Sequence, residues 1–226
     1  EATARRDVDW YAAHGYEHIH IHGMKSYNGV AIVSRMPLDA REIRHSCDKE
    51  DCRHIMAKLP GGTELHCVYV PAGGDIPDPE INDKFAHKLR FVDELSDWWK
   101  EARGSKRPMV LVGDLNIAPL ETDVWSHKQL LTVVSHTPIE VEKFTRMQRS
   151  IGWIDAVRKF IPPEEKLFTW WSYRNRDWRL SDRGRRLDHA WVTPPLAKSL
   201  KSAAVVRDAR DWPTPSDHVP VLIDLA

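Results

Sequence analysis

The sequence predicts an α+β protein in which two β-sheets pack face to face and helices cover them. Short apolar runs with strand character recur along the whole chain, and turn residues separate them. Only two or three segments show the three- and four-residue spacing of apolar side chains that is typical of helices. Strands and helices do not alternate strictly, which disfavours a parallel sheet wound with crossover helices and favours a sheet-on-sheet core.

In the N-terminal half, we expect one helix, two strand pairs and then a longer helix. Residues 3–13 carry an apolar stripe at helical spacing, and residues 83–102 repeat apolar side chains every three or four positions. The segment Pro60-Gly61-Gly62 is typical of a hairpin turn. The strands predicted here from alternating or continuous apolar patterns are residues 18–22, 29–34, 54–59 and 65–70.

In the C-terminal half, we expect a buried strand first and a helix over residues 140–160 with a break near Gly152. The remaining apolar runs predict short strands. These strands are residues 109–112, 168–171, 187–192 and 219–225.

Size and composition favour one domain. The chain has 226 residues, of which 42% are hydrophobic, and it contains no repeat, low-complexity tract or linker, so we expect residues 1–226 to form a single domain. The formal net charge is zero, so affinity for nucleic acid must come from a local basic surface. No apolar run approaches the roughly 18 residues of a membrane helix. The odd number of cysteines, three, disfavours a disulfide framework.

Two polar side chains follow the apolar strand at residues 109–112. Asp114 and Asn116 are two positions apart, so the alternation of a strand places them on one face where the strand ends. A carboxylate and an amide oxygen together suit a hard divalent cation and a phosphate. An Asx turn that only closes the strand explains the same two residues.

Two further segments place acids and a histidine next to strands. Asp188 stands inside an apolar strand pattern, where a carboxylate is unfavourable unless a cation or a hydrogen-bond donor pairs with it. Asp217 and His218 precede the last strand and offer a metal ligand and a titratable base. The alternatives are a structural ion pair with a neighbouring arginine for Asp188 and a turn or helix cap for the Asp-His pair.

Taken in this order, the three segments resemble the motifs of the endonuclease/exonuclease/phosphatase superfamily. The motifs are Gly-Asp-Leu-Asn-Ile-Ala-Pro, Arg-Leu-Asp and Ser-Asp-His, at residues 113–119, 186–188 and 216–218. Residues 26–32, 68–73 and 168–174 are similar to segments of the exonuclease III branch of AP endonucleases. The resemblance runs from about residue 15 to the C-terminus. It implies a DNase I-like fold, a four-layer α/β sandwich of two packed mixed β-sheets flanked by helices.

The resemblance also implies roles for single residues. Asp114 matches the acid that handles the attacking water or the leaving group, and Asn116 matches the amide that steadies the phosphate and the metal site. His218 matches the catalytic histidine, Asp188 the acid that orients it, and Tyr69 the tyrosine near the phosphate. The metal ligands that the resemblance implies are Asp114, Asn116, Asp217 and His218.

Contacts with DNA are expected on the same side of the protein. Trp170 matches an aromatic residue that lies against the substrate, and the segment from Arg174 to Arg186 contains six arginines interleaved with aromatic residues, which suits phosphate binding. A solvated charged loop is the alternative for this segment. The residues predicted to contact DNA are Tyr27, Asn28, Trp170 and Arg174.

One feature of the superfamily is not found in this sequence. Its members open with a strand that carries an asparagine, followed by a Gln-Glu pair whose glutamate binds the metal. We expect this glutamate either to be Glu1 or to lie just upstream, so that residues 1–226 hold an N-terminally incomplete domain.

The resemblance implies a Mg²⁺-dependent DNA phosphodiesterase of base-excision repair, with Mn²⁺ as a substitute metal. Its substrates would be double-stranded DNA with abasic sites or 3′ ends. We expect a monomer of the bacterial cytoplasm with no membrane partner. Two alternatives stay open: another phosphodiesterase of the superfamily, acting on RNA, inositol phosphates or sphingomyelin, and a non-catalytic nucleic-acid-binding remnant.

Overall fold

The computed structural model of the protein describes residues 2–175 and 177–226. The helices are α1 (Ala2–Ala13), α2 (Asp83–Trp98), α3 (His127–Leu130), α4 (Pro138–Arg149) and α5 (Trp178–Ser181). The first six strands are β1 (His18–Gly23), β2 (Gly29–Ser34), β3 (Arg41–Ser46), β4 (Lys49–Lys58), β5 (Glu64–Val68) and β6 (Met109–Asp114). The others are β7 (Ile154–Asp155), β8 (Trp170–Trp171), β9 (Gly184–Arg185), β10 (Asp188–Val192), β11 (Leu200–Val205) and β12 (Val221–Leu225).

A six-stranded mixed sheet forms the centre of the fold, with the order β3-β4-β5-β6-β10-β7. Strands β5 and β6 are parallel, and the other neighbours in this sheet are antiparallel. The alternation of strand β6 explains how both faces are covered. Met109 and Leu111 join one core cluster, and Val110 joins another on the opposite face.

Helices α2 and α4 cover the first face of the sheet. Each helix begins with a capping residue: the side chain of Asn82 accepts a hydrogen bond from the amide of Lys84, and Thr137 forms a capping box with Glu140. The two helices bury Phe91, Leu95, Phe144 and Met147 in the core under this face. The helices therefore hold the strand ends on which the site is built.

Two antiparallel ribbons cover the second face. Strand β1 pairs with β2, and strand β11 pairs with β12. Val30 and Ile32 of β2 pack with Ile55 and Ala57 of β4, while Val205 and Val221 pack against the part of the sheet formed by β6 and β10. The expected sandwich of packed β-sheets flanked by helices is confirmed in its mixed central sheet and flanking helices, while the strands packed on the second face are antiparallel ribbons rather than a second mixed sheet.

The structure corrects two of the predicted elements and adds strands that were not predicted. The break expected near Gly152 is confirmed, since the helix ends at Arg149 and the chain turns at Gly152 with a φ of 75°. The helix does not resume up to residue 160 as predicted, because the chain adds β7 to the edge of the sheet beside β10. The predicted strand at 168–171 is reduced to Trp170–Trp171. Strands β3 and β11 were not predicted: Ile43 is the single apolar residue of β3, and Lys201 and Ser202 interrupt the apolar run of β11. In the part of the chain that the structure describes, no helix is long and apolar enough to cross a membrane.

Candidate active site

The two carboxylates of the site are neighbours across two strands of the central sheet. Asp114 at the end of β6 lies directly opposite Asp188 at the start of β10, and residues opposite each other in an antiparallel pair project from the same face. Gly113 makes this arrangement possible. A Cβ at this position would lie 1.9 Å from the carbonyl oxygen of Val68, so any other residue would push β6 away from β5.

Asn116 adopts a tight turn that returns its side chain to Asp114. Its backbone amide donates to Oδ1 of Asp114 over 3.0 Å, and its side-chain amide donates to Oδ2 of Asp114 over 2.9 Å and to the carbonyl of Val70 over 3.0 Å. The φ angle is 52°, in the left-handed region that asparagine tolerates better than most residues. The acid and the amide predicted from the sequence are thus in contact. The Asx-type turn, which was the alternative explanation for these two residues, is what brings them together.

His218 reaches the same carboxylates from the loop before β12. Its Nδ1 lies 2.8 Å from Oδ2 of Asp188, and its Nε2 lies 3.9 Å from Oδ2 of Asp114. The loop is held in place by an isolated bridge between Trp170 and His218.

Thr169 is a residue of the site that the sequence motifs did not reveal. Its hydroxyl donates to Oδ2 of Asp188 over 2.6 Å and accepts hydrogen bonds from the backbone amides of Leu187 and Asp188. Thr169 is fully buried. It therefore fixes the carboxylate that orients His218. The aromatic residues at 168–171 indicated a role for Trp170 in the sequence. The hydrogen bonds of the Thr169 hydroxyl are visible only in the structure.

The electrostatics of the site favour a protonated histidine. Burial alone would lower the pKa of His218, but the hydrogen bond and charge of Asp188, together with Asp114 and Asp217, raise it to about 9. Burial and repulsion by Asp188 raise the pKa of Asp114 to about 7, against the opposing effects of His218, the Asn116 amide and Lys88. The site therefore contains an acid that titrates near neutral pH beside a cationic ring.

The donor set fits a hard divalent cation. Asp114, Asp188 and His218 each offer one ligand atom within 4.8 Å of the others, and Oδ1 of Asn116 accepts no hydrogen bond from any residue that the structure describes. Carboxylate and amide oxygens are the ligands that Mg²⁺ and Mn²⁺ prefer. His218 fits less well, since a protonated ring cannot bind a metal.

Asp217, the fourth metal ligand expected from the sequence, has a different contact. Its Oδ2 accepts a hydrogen bond from Nε1 of Trp170 over 2.9 Å, and it is not part of the group formed by Asp114, Asp188 and His218. Asp188, which was expected only to orient the histidine, takes that place in the group. Metal binding by Asp217 stays a prediction.

A cavity of about 600 Å³ opens above these residues. Asp114, Asn116 and His218 lie in its wall. Tyr69 also faces it, and burial together with the charge of Asp114 raises the pKa of this tyrosine. The other polar and aromatic residues around the cavity include Trp125, Trp170, Arg174, Arg183 and Arg185.

The basic stretch from Arg174 to Arg186 is not one surface. Arg186 is fully buried and pairs with Asp123 and Asp155, and Arg179 pairs with Asp208 and Asp211. These two arginines are neutralised by acids that are distant in sequence, so they do not belong to the phosphate-binding surface that the sequence predicted for this segment. Among the arginines of this stretch that the structure describes, Arg174, Arg183 and Arg185 line the cavity.

Two of these arginines lie against tryptophan rings. The guanidinium of Arg183 is 4.8 Å from the ring centre of Trp125, and that of Arg185 is 5.4 Å from the ring centre of Trp170. Arg185 also donates to the carbonyl of Val134 over 2.9 Å. The wall of the cavity thus presents cations and aromatic faces together, which suits a nucleic-acid strand.

The two expected DNA contacts near strand β2, Tyr27 and Asn28, differ in exposure. Tyr27 is 65% exposed, whereas Asn28 is 8% exposed, and its side-chain carbonyl accepts a hydrogen bond from the amide of Cys52. The burial of Asn28 argues against a direct contact with DNA and gives this residue a structural role. Glu1, a candidate metal ligand, and Arg176, one of the six arginines, lie outside the described residues.

The sequence profile of the Endonuclease/Exonuclease/phosphatase family matches residues 1–218. The chain belongs to this family. Among curated members, exodeoxyribonuclease III of Haemophilus influenzae is 30% identical over 218 residues, which cover 92% of this chain and 79% of that protein. The resemblance drawn from the three motifs is therefore confirmed.

Solved structures of the Endonuclease/Exonuclease/phosphatase family agree with the fold. An AP endonuclease from Archaeoglobus fulgidus superposes with a TM-score of 0.88 at 27% identity, over 96% of this chain and 82% of that one. A 3′ phosphatase from Neisseria, bound to a product DNA hairpin, superposes with a TM-score of 0.84 at 28% identity, over 97% of this chain and 82% of that one. The DNase I-like architecture expected from the sequence is confirmed by these two likenesses.

Proposed function

We propose that this protein is a divalent-metal-dependent DNA phosphodiesterase of base-excision repair. It would cut 5′ to abasic sites and remove nucleotides or blocking groups from 3′ ends. The observation that carries the proposal is His218, which lies between the carboxylates of Asp188 and Asp114 at 2.8 and 3.9 Å at the base of a cationic and aromatic cavity. An exodeoxyribonuclease III, an AP endonuclease and a 3′ phosphatase among its relatives support the same chemistry.

The protonation states suit hydrolysis of a phosphodiester. With a pKa of about 7, Asp114 can accept a proton from an attacking water near neutral pH. The cationic His218 donates to a phosphate oxygen and stabilises the negative charge that builds on the phosphate. Asp188 and Thr169 keep the ring of His218 in place for this role.

Other residues of the cavity would position the substrate. Asn116 and Tyr69 line the cavity in which the phosphate would lie. Trp170 and Arg174 would contact the DNA beside the cleaved bond, and Tyr27 would do so from the opposite side. These assignments follow from the family motifs together with exposure and position.

The metal is proposed to be Mg²⁺, for which Mn²⁺ can substitute. Asp114, Asp188 and Asn116 would hold it, with Asp217 as a further ligand from the family motif. When bound, the cation supplies positive charge next to the scissile phosphate. We further propose that the enzyme is a monomer, that residues 1–226 form one domain, and that it acts on double-stranded DNA in the bacterial cytoplasm.

The test is a nicking assay on a duplex with a single abasic site, run with and without Mg²⁺. Cleavage 5′ to the site that needs Mg²⁺ and is lost in Asp114→Asn supports the proposal. A parallel panel contains RNA, an inositol polyphosphate and sphingomyelin. Preferential cleavage of one of these substrates would assign the chain to another branch of the family. Duplex binding without cleavage of any substrate, at a range of Mg²⁺ and Mn²⁺ concentrations, would make it a binding protein.

A further inference from the structure

Lys88 lies on α2 behind the cleft, and its side chain is completely buried. Its ammonium group meets partners from three separate segments. It donates to the carbonyl of Asn116 over 2.8 Å and to the carbonyl of Ala72 over 3.3 Å, and it pairs with Oε1 of Glu140 over 2.5 Å. An ammonium has three donors, so all three are used. A buried charge held in this way is fixed in position, because losing any one partner leaves part of it unsatisfied.

The contact with Asn116 completes the hydrogen bonding of that turn. The backbone amide and the side-chain amide of Asn116 already bind Asp114 and Val70. Lys88 binds the remaining backbone group, the carbonyl. The φ of 52° at Asn116 is held by these contacts. Lys88 therefore holds the peptide that follows Asn116 in one orientation.

The contact with Ala72 reaches the loop that follows Tyr69. This loop packs directly on the aliphatic part of the lysine: a Cβ at Gly73 would lie 2.9 Å from Cδ of Lys88. The φ of 92° at Gly73 adds to the restriction. The position of the loop below Tyr69 therefore depends on the position of the Lys88 side chain.

Glu140 extends the same network to the opposite wall of the cleft. It is fully buried, and both of its carboxylate oxygens lie 2.9 Å from the backbone amide of Ser135. Ser135 has a φ of 91° and lies in the wall of the cavity. Its hydroxyl accepts a hydrogen bond from Arg185 over 2.8 Å, so the ion pair joins the turn at Asn116 to an arginine that faces the substrate.

We propose that Lys88 and Glu140 are positioning residues for the cleavage reaction: their buried ion pair sets the place of the Asn116 turn, the loop after Tyr69 and the Ser135–Arg185 wall relative to one another. The inference rests on the proposed nuclease function, since it concerns the same cleft. Neither side chain can touch the substrate, because both are fully buried.

The first experiment uses Lys88→Met, which keeps the length of the side chain and removes its charge and donors. We expect the single-turnover rate of abasic-site nicking to fall about 10- to 100-fold, the size of effect that a misplacement near 1 Å produces, while KM for DNA changes less than about threefold. Duplex affinity, measured by fluorescence anisotropy without metal, should change little, because Lys88 does not reach the DNA and Arg185 keeps its hydrogen bond to the carbonyl of Val134.

The second experiment distinguishes positioning from general stability. In an Asn116→Ala background, Lys88→Met should lower the rate by a clearly smaller factor than in the wild type, because the Asn116 side chain, one of the groups that the ion pair positions, is already lost. Losses that multiply would overturn the proposal. If Lys88→Met does not fold, the double variant Lys88→Met/Glu140→Gln replaces it. That variant removes both charges and keeps an acceptor for Ser135, and replacing a buried ion pair by neutral groups is often tolerated.

Two controls match the variants. Lys143→Met makes the same substitution at the Lys143–Asp93 pair, which joins the same two helices at the surface, and it should leave the rate unchanged. Met147→Ala removes a buried side chain of α4 and lowers stability by about 2–5 kcal/mol without slowing single turnover well below its melting temperature. If Lys88→Met behaves like Met147→Ala, the ion pair is structural only. A wild-type protein that cleaves no DNA would instead refute the proposed function itself.

Discussion

The histidine at the centre of the site gives a prediction that can be worked out from its surroundings. The pKa of His218 is raised from 6.5 to about 9, chiefly by Asp188 acting against burial. This difference corresponds to about 3 kcal/mol in favour of the protonated ring. At pH 7.5 the wild-type ring would be protonated by a ratio of about 30 to 1.

The substitution Asp188→Asn removes the largest of these favourable contributions. Burial then dominates, and the pKa of His218 should fall to 6.5 or below. At pH 7.5 the ring would be neutral by about 10 to 1, so protonation alone would lower the rate roughly tenfold. Loss of the hydrogen bond that orients the ring would bring the total decrease to about 10²–10³-fold.

The assay combines single-turnover nicking between pH 6 and 10 with an NMR titration of the imidazole in the metal-free protein. Asp217→Asn is the matched control, because Asp217 contributes less to the pKa of His218 and bonds to Trp170 rather than to the ring. The wild-type rate should fall as pH rises through about 9, and this fall should move to lower pH in Asp188→Asn. If His218 titrates at the same pH in the wild type and in Asp188→Asn, the pair that His218 forms with Asp188 does not control its protonation and the reasoning is wrong.

Three further predictions concern single residues. Asp114→Asn should lower turnover about 10²–10⁴-fold. Because the pKa of Asp114 is raised, ionisation of this group destabilises the folded state increasingly as the pH rises from 3.8 to about 7, so the metal-free variant should be more stable than the wild type, by at most about 4 kcal/mol above pH 7. An unchanged melting temperature at pH 8 would contradict this. Arg174→Ala and Arg183→Ala should each lower the slope of log affinity against log salt for duplex binding by about one phosphate contact, whereas Arg179→Ala should leave it unchanged because Arg179 is ion-paired. Equal slopes in all three variants would mean that the stretch is a solvated loop that does not bind DNA. Thr169→Val should keep the fold and slow single turnover about tenfold or more, with the pKa of His218 measured by NMR as the second readout; a rate equal to wild type would leave Thr169 without a role.

The chemistry of the site could be predicted from sequence because it is carried by short motifs. Asp114, Asn116, Asp188 and His218 stand at strand ends or next to strands, and a pattern of apolar residues reveals where strands end. The structure brings these four side chains together because β6 and β10 are paired with Asp114 opposite Asp188. Strand pairing itself is a long-range property that local spacing does not contain.

The features of the site that could not be predicted are those that depend on which side chain a charged residue contacts in the folded protein. Arg186 and Arg183 are three positions apart and equally basic, yet one is buried against Asp123 and the other lies over a tryptophan at the cleft. Lys88 lies in a helix whose apolar stripe predicted which face is buried, but that pattern did not predict that a lysine would be buried with it. In each case the deciding contact is more than 25 residues away along the chain.

The direct pairing of Asp114 with Asp188 also determines which changes of chain length the protein can tolerate. The separation of the two carboxylates is set by the spacing of adjacent strands, so insertions in the loop around residues 104–107 would leave it unchanged. A single residue inserted inside Met109–Asp114 would instead turn one carboxylate to the opposite face of the sheet. Loops on this scaffold can therefore be lengthened or exchanged to change what enters the cleft, while the strands that carry the two acids must keep their length.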